Sequence, residues 1–173
     1  LKRVMPFHFP KILNDKPVQL MTERGQKLHS FFQSSKEEFL ILLRSLVEEE
    51  TPSDVPESFG KLWSILRSEF EELDYSVESI EGQETAGQIL CKPNTYKSDT
   101  PQQLIVGHCD TVWSIGTIEE MPFKKSGDQV SGPGVYDMQT GICMLVFALR
   151  AIQMLGEKTS VQPVFILNSD DDI

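Results

Sequence analysis

The sequence predicts an α/β fold, because two apolar segments of strand length are separated by one apolar segment of helix length. The strand segments are residues 104–107 and 161–167, and the helix segment is 138–155. A strand, a crossover helix and a second strand form a βαβ unit, whose two strands are parallel and joined by a right-handed connection. We therefore expect these two strands to be adjacent or nearly adjacent in one sheet.

The segments before this unit predict two helices and a hairpin. Residues 35–38 (SKEE) have the form of a capping box, and apolar residues then recur at helical spacing as far as Thr51 and Pro52. A second apolar stripe of this kind covers 59–73. Tyr75, Val77 and the segment 87–91 predict two strands around a turn at Gly82.

The remaining segments are a surface arm and a second hairpin. Residues 1–20 contain three prolines and show no periodicity, so we expect an arm on the surface or on a partner. A small hairpin is predicted around 126–128.

Composition limits the classes of partner. The chain has 173 residues with 39% hydrophobic content, which is enough for one core, and its formal net charge is −10. A nucleic-acid partner is not expected, because phosphate binding requires clustered Lys and Arg. The longest uninterrupted apolar run, 142–149, is shorter than the ~20 residues of a membrane span. Three cysteines without Cys-x-x-Cys spacing favour a reducing, cytoplasmic setting.

A histidine and several acidic residues lie next to the ends of these predicted elements. His108 and Asp110 follow the first strand, the run 170–172 follows the second, and Asp137 precedes the helix. In extended backbone, residues i and i+2 point to the same side, so the carboxylate of Asp110 can orient the imidazole of His108. Sites in open α/β sheets lie at the carboxyl ends of strands. We therefore expect these side chains to meet at one edge of the sheet.

Imidazole and carboxylates without thiolates suit zinc or a similar divalent metal. Gathered carboxylates repel one another unless cations lie among them, which favours a hydrolytic site with two metal ions. An alternative fits these residues equally well. The acidic run 170–172 can belong to a solvated loop, and Asp137 can be the N-cap of the helix.

Five short motifs follow one another in the second half of the chain. They are GHCDTVW at 107–113, GT at 116–117, MPF at 121–123, GPGVYDM at 132–138 and NSDDDI at 168–173. This series resembles the M20 family of metallopeptidases, in particular its glutamate carboxypeptidase branch. The resemblance implies a three-layer sandwich in which helices flank a mostly parallel sheet, present here in incomplete form.

The resemblance also implies a role for each candidate site residue. His108 corresponds to the histidine ligand of one zinc ion, Asp137 to the carboxylate that bridges both ions, and Asp172 to a ligand of the other ion. Two residues correspond to catalytic carboxylates. Asp110 supports the histidine ligand, and Asp171 is the general base that acts on the attacking water.

The sequence departs from the family pattern at three positions. Asp171 and Asp172 stand where the family usually has two glutamates, and Gln139 replaces a common lysine. The remaining metal ligands of the family and its inserted dimerisation domain would lie after Ile173. The resemblance therefore implies an N-terminal arm with the start of the first helical region at 1–34, and the N-terminal portion of a catalytic domain at 35–173.

The expected activity is hydrolysis of an amide bond by water that zinc activates. The full-length protein would be a carboxypeptidase or an N-acyl amino acid amidohydrolase, with two zinc ions, a small peptide or N-acyl amino acid as substrate, and a homodimeric assembly. The 173-residue chain alone would bind zinc weakly and be inactive. The alternative is a truncated or degenerate module without catalysis that keeps the fold and weak metal binding.

Overall fold

A four-stranded mixed sheet is the main feature of the computed structural model, which describes residues 7–8 and 21–172. In their order across the sheet, its strands are β2 (Tyr75–Ile80), β3 (Gln88–Pro93), β7 (Gln162–Asn168) and β4 (Gln102–His108). The pair β4 and β7 is parallel, with Leu104 opposite Val164 and His108 opposite Asn168. The predicted parallel pair is therefore confirmed.

The α/β class is confirmed, but the prediction of a mostly parallel sheet is wrong for the described strands. Strand β3 is antiparallel to both of its neighbours, β2 and β7. For the pair β2 and β3, the physical reason lies in the connection 81–87, which is short. Such a connection can join antiparallel neighbours, whereas a parallel pair requires a crossover of a dozen or more residues.

Among the five α-helices of the described residues, the second, third and fifth contribute the buried helical residues of the core. The helices are α1 (Glu23–Ser34), α2 (Lys36–Val47), α3 (Gly60–Glu72), the short α4 (Thr117–Glu120) and α5 (Thr140–Leu155). The capping box predicted at 35–38 does not form, because the side chain of Ser35 makes no capping hydrogen bond. Its backbone N–H donates instead to Phe31 O, so Ser35 continues directly from the preceding helix α1.

The hydrophobic core lies between α2, α3 and α5 and one face of the sheet. Phe165 of β7 lies 5.3 Å from the ring of Phe70 and 5.7 Å from that of Tyr75, measured between centroids. Leu104 and Val106 alternate onto the opposite face, where they are 58% and 60% exposed. In the described part of the chain, the core helices thus cover one face of the sheet, as expected for an incomplete sandwich.

The most apolar segment of the chain is the core helix α5 with the turn before it. Val135–Leu155 has 21 residues and a mean hydropathy of 1.5, so by length and composition alone it is apolar enough to cross a membrane. Ile142, Cys143 and Val146 of this helix are fully buried against the core. Burial in the core accounts for the apolar residues on this face, whereas Met144 and Met154 of the same helix are 55% and 47% exposed.

A small antiparallel sheet adjoins the connection between β4 and α5. Its strands are β1 (Phe7–His8), β6 (Gln129–Ser131) and β5 (Lys124–Ser126). The pairing of β5 with β6 confirms the predicted hairpin, in which Gly127 has a positive φ of 59°. The predicted surface arm lies outside the described residues, apart from residues 7–8, which pair with β6.

Candidate metal centre

The candidate site lies where the parallel strands β4 and β7 both end. His108 is the last residue of β4, and the N–H of Cys109 donates to Asn168 O at 2.8 Å, which extends the ladder by one bond. The acidic run after β7 consequently leaves the sheet beside Asp110. Asp137 reaches the same place from a π-helical turn, Val135–Gln139, that precedes α5. The structure thus brings together all five residues predicted from the sequence, whose individual roles stay predictions.

On one side of the imidazole ring, His108 faces Asp110. Its Nδ1 lies 3.2 Å from the backbone oxygen of Asp110 and 3.3 Å from the carboxylate Oδ1 of the same residue. The side chain of His108 is 9% exposed. The Asp110 carboxylate raises the pKa of His108 to about 9, against the opposing effect of burial and with help from Asp137. Asp110 therefore fixes the ring and keeps a proton on Nδ1.

Asp110 is a fully buried carboxylate, with 0% of the residue exposed. Its Oδ2 accepts hydrogen bonds from Ser53 Oγ and from the backbone N–H of Asp172, both at 2.7 Å. Burial acts to raise the pKa of Asp110, but the nearby imidazole of His108 and the hydrogen bonds from Ser53 and the 171–172 backbone outweigh it and hold that pKa well below its usual range. Asp110 is therefore ionised at neutral pH.

The other side of the ring faces two solvent-exposed carboxylates. His108 Nε2 lies 3.2 Å from Asp137 Oδ1 and 4.0 Å from Asp171 Oδ2. The side chains of Asp137 and Asp171 are 71% and 64% exposed. Asp172 lies between the two sides of the site. Its N–H donates to Asp110 Oδ2 on the buried side. Burial raises the pKa of its carboxyl, and the charges of the three neighbouring aspartates raise it further.

The donor set fits a divalent cation. One potential ligand atom each from His108, Asp110 and Asp172 lies within 4.8 Å of the others. Asp110 is already held by Ser53 and by the backbone of Asp172, a position that fits its predicted role as support of the imidazole. The nitrogen Nε2, with Asp137 and Asp172, remains as the set that matches the ligands predicted from the sequence. Imidazole and carboxylate oxygens are ligands that zinc takes.

A tight glycine turn brings Asp137 into the site. Gly134 has a φ of 67°, and a Cβ atom at this position would lie 2.6 Å from Thr111 Cγ2. Glycine is therefore required both by the backbone conformation and by the close approach to the segment after β4. The peptide bond between Asp137 and Met138 is cis.

Residues 51–53, which follow helix α2, form a second support of the site. Thr51 Oγ1 donates to Cys109 O at 2.8 Å, and the N–H of Thr111 donates to Thr51 O at 2.9 Å. Ser53 reaches Asp110 from 57 residues away. The sequence contains no pattern that links a serine to an aspartate at such a separation.

Gln139 also supports the segment after β4. Its side chain is buried, with the residue 1% exposed, and its Nε2 donates to Cys109 O at 3.1 Å. Its Oε1 accepts no hydrogen bond within the described part of the chain. At this position a neutral amide supplies a donor without burying a charge, which a lysine would do. This contact gives the departure at Gln139 a structural role.

Glu50 anchors the loop that follows the site strand. Its carboxylate oxygens accept hydrogen bonds from the N–H of Gly116 at 2.8 Å and of Ile118 at 2.9 Å. These bonds connect the end of helix α2 to the loop that carries the motif at 116–117. The segment after α2 thus holds both this loop, through Glu50, and Asp110, through Ser53.

Comparison with known proteins agrees with this geometry. Residues 104–172 match the family model described as peptidase family M20/M25/M40. Carboxypeptidase G2 of Pseudomonas sp. (strain RS-16) is 24% identical over 136 residues, which cover 75% of this chain and 31% of the relative. The chain therefore spans about a third of the length of the curated relative that it matches.

Solved structures share the fold. Human carnosine dipeptidase 1 has a TM-score of 0.68 at 17% identity, covering 83% of this chain and 34% of the other. The M20 family metallo-carboxypeptidase Sso-CP2 from Sulfolobus solfataricus has a TM-score of 0.58 at 17% identity, covering 86% and 31%. This chain thus shares its fold with these peptidases, and its residues 104–172 are similar to the M20/M25/M40 peptidase family.

Proposed function

We propose that this chain carries the metal-binding part of a hydrolase that cleaves an amide bond in a small peptide or an N-acyl amino acid. One observation carries the proposal. The imidazole of His108 is held on its Nδ1 side by buried Asp110, while its Nε2 points to Asp137 at 3.2 Å and Asp171 at 4.0 Å. An imidazole oriented by a carboxylate, with its other nitrogen among carboxylates, is the arrangement that metal-dependent hydrolases use.

In the proposed enzyme, His108 Nε2, Asp137 and Asp172 hold zinc, and two ions are present in the complete protein. Zinc bound there would polarise the substrate carbonyl and lower the pKa of water. Binding through Nε2 requires this nitrogen to be unprotonated. With a pKa of about 9, the metal-free ring carries a proton on Nε2 at neutral pH, which a metal ion would displace. The contacts of Nδ1 with Asp110 then keep the remaining ring proton on the opposite nitrogen.

Asp171 is the proposed general base. Its carboxylate is exposed and lies 4.0 Å from His108 Nε2, so it can accept a proton from water that attacks the amide carbonyl and return it to the leaving amine. An aspartate is one methylene shorter than the usual glutamate, which is about 1.5 Å of reach, and a misplacement of about 1 Å can cost ~100-fold in rate. The loop 169–172 must therefore lie closer to the reacting atoms than it would with glutamate.

The names of the relatives support the substrate class. One relative is a carboxypeptidase and one structural neighbour is a dipeptidase, so small peptides are the first substrates to test. We further propose a cytoplasmic homodimer that has neither nucleic acid nor membrane as a partner, and the net charge of −10 supports the first of these two exclusions.

A module without catalysis is the second candidate, and the pair Asp171 and Asp172 favours it. Both side chains are shorter than the family's glutamates, so a site that still binds metal can fail to bring a base to the attacking water. Such a protein would keep the support of His108 by Asp110 and would act through contacts with other proteins.

The deciding experiment measures kcat/KM of the full-length gene product with zinc on dipeptides and on N-acyl amino acids, including N-acyl glutamate. We expect turnover of one of these classes and a loss of about 100-fold or more in Asp171→Asn, since a general base contributes about 10²–10⁴-fold. Zinc binding by Asp171→Asn should match that of the parent. Zinc binding without turnover in the parent would favour the non-catalytic module, and no zinc binding would refute both candidates.

A further inference from the structure

Ser53 is the polar side chain that ties the segment after α2 to the buried carboxylate of the site. Its hydroxyl donates to Asp110 Oδ2 at 2.7 Å and is half-buried there. None of the roles that the family resemblance assigns falls on this residue. The hydroxyl touches neither of the exposed carboxylates, so any influence on the site must pass through Asp110.

The orientation of the Asp110 carboxylate depends on two donors at a single oxygen. Oδ2 accepts from Ser53 Oγ and from the Asp172 N–H, each at 2.7 Å, while Oδ1 is turned toward His108 Nδ1 at 3.3 Å. Rotation of the carboxylate would therefore change both contacts at the same time. No well-aligned hydrogen bond reaches Oδ1 within the described residues, so the donors at Oδ2 are what fix the group.

Removal of the Ser53 hydroxyl leaves Asp110 Oδ2 without its side-chain donor, so that the backbone of 171–172 alone holds it. The carboxylate can then rotate away from its present plane, which loosens the contact with His108 Nδ1 and shifts the backbone that carries Asp172. Two of the three proposed ligands, His108 and Asp172, are attached to Asp110 in this way. Neighbours of ligands that orient them in this manner commonly contribute 10–100-fold in metal affinity.

We infer that Ser53 is a positioning residue of the metal centre, which fixes Asp110 and through it the imidazole of His108 and the backbone of Asp172. The inference rests on the proposed function, because it requires a metal at Nε2. It differs from the role of Thr51, whose hydroxyl bonds to the backbone oxygen of Cys109 and so fixes the main chain.

The test compares three substitutions in the full-length protein, because the 173-residue chain alone is expected to bind zinc weakly. Ser53→Ala removes the hydroxyl, and Ser53→Thr keeps it on a residue that is partly open to solvent. Ser58→Ala is the matched control, because Ser58 is also half-buried and its hydroxyl donates to a backbone oxygen, Val55 O, at 2.8 Å, away from the site. Zinc affinity is measured by competition with a chromophoric chelator, and Co²⁺ reports the ligand geometry through its d–d absorption spectrum. Urea unfolding identifies any variant that does not fold.

We expect Ser53→Ala to weaken zinc binding by about 10-fold or more and to change the Co²⁺ spectrum. Ser53→Thr should restore both to parent values, and Ser58→Ala should leave both unchanged. Parent affinity and spectrum in folded Ser53→Ala would overturn the inference alone. An equal loss in Ser58→Ala, or a failure of Ser53→Thr to recover binding, would also overturn it. If the parent binds neither metal, the proposed function fails and the inference fails with it.

Discussion

The two sides of the His108 ring differ in burial, in charge and in how they are built. On the Nδ1 side, Asp110 is fully buried and receives hydrogen bonds from Ser53 and from the backbone of Asp172. On the Nε2 side, Asp137 and Asp171 are 71% and 64% exposed and carry like charges. Folding alone therefore establishes the Nδ1 side, whereas the Nε2 side presents carboxylates whose mutual repulsion a cation would relieve.

This difference separates stability from ligand binding. Contacts on the buried side replace water and must be satisfied within the protein, because an unsatisfied buried polar group is costly. Contacts on the exposed side are solvated without a metal, so their loss changes stability little. Substitutions on the two sides should consequently affect different measurements.

The largest expected effect is that of Asp110→Ala. The change removes the acceptor of Ser53 and of the Asp172 N–H and leaves His108 without its buried counter-charge. Breaking a buried ion pair by removing one partner costs about 3–5 kcal/mol. We expect the free energy of unfolding of the metal-free chain, measured by urea titration, to fall by about 3 kcal/mol.

Asp137→Ala is the matched control on the exposed side. Its side chain is 71% exposed, so the free energy of unfolding of the metal-free chain should change by about 0.5 kcal/mol or less. If the two alanine variants lose similar stability, the distinction between a buried and an exposed side is incorrect.

The second prediction concerns zinc. A ligand at 100 times its Kd stabilises the folded state by about 2.7 kcal/mol if it does not bind the unfolded chain. We expect zinc to raise the free energy of unfolding by this amount, and EDTA to reverse the change. At the same zinc concentration, Asp137→Asn should gain much less, since it lacks one of the proposed ligands. An equal increase in the free energy of unfolding in the parent and in Asp137→Asn would show that zinc binds at another site.

The third prediction concerns Glu50, which fixes the loop that follows β4. Glu50→Gln replaces one acceptor oxygen with an amide that faces a backbone N–H, either of Gly116 or of Ile118. Hydrogen bonds to charged groups contribute about 1.5–3 kcal/mol, and one of the two is kept. We expect a loss of about 1–2 kcal/mol in urea unfolding, against little change for the exposed Glu48→Gln. Equal stability of the two variants would show that the anchor is unimportant.

The sequence predicted the parts of the site that depend on strand ends. Apolar runs defined β4 and β7, and polar residues directly after them had to meet at one edge once the strands were parallel. The absence of a capping box at Ser35 could not be predicted from residues 35–38 alone, because it arises from helix α1, which precedes Ser35 without a break. The antiparallel β3 was placed by long-range pairing with β7 that the local pattern does not encode.

The supporting contacts could not be predicted from the sequence for a related reason. Ser53 and Glu50 belong to common surface residue types, and they reach partners 57 and 66 residues away. Serine and glutamate after a helix are compatible with many solvated loops. Only the folded chain shows that the end of α2 passes beside the end of β4. Residues that support a site from another element therefore lack the local signal that ligand motifs have.

The smallest expected effect tests whether the buried side stays closed, and Cys109 reports on it. Cys109 lies between His108 and Asp110, and all three cysteines of the chain are buried. Burial raises the pKa of Cys91 to about 12 and raises the pKa values of Cys109 and Cys143 well above the usual thiol range. A raised pKa lowers the thiolate fraction at pH 8, and the thiolate is the reactive form.

We expect a thiol reagent such as DTNB to label the folded chain about 100-fold more slowly than the chain in guanidinium, where all three cysteines react. Asp110→Ala should accelerate labelling of Cys109, identified by peptide mass, more than that of Cys143 in α5, which is exposed only by unfolding of the core. Rapid labelling of Cys109 in the folded parent would show that the strand end beside His108 opens readily, so that the ring is not held as the structure indicates.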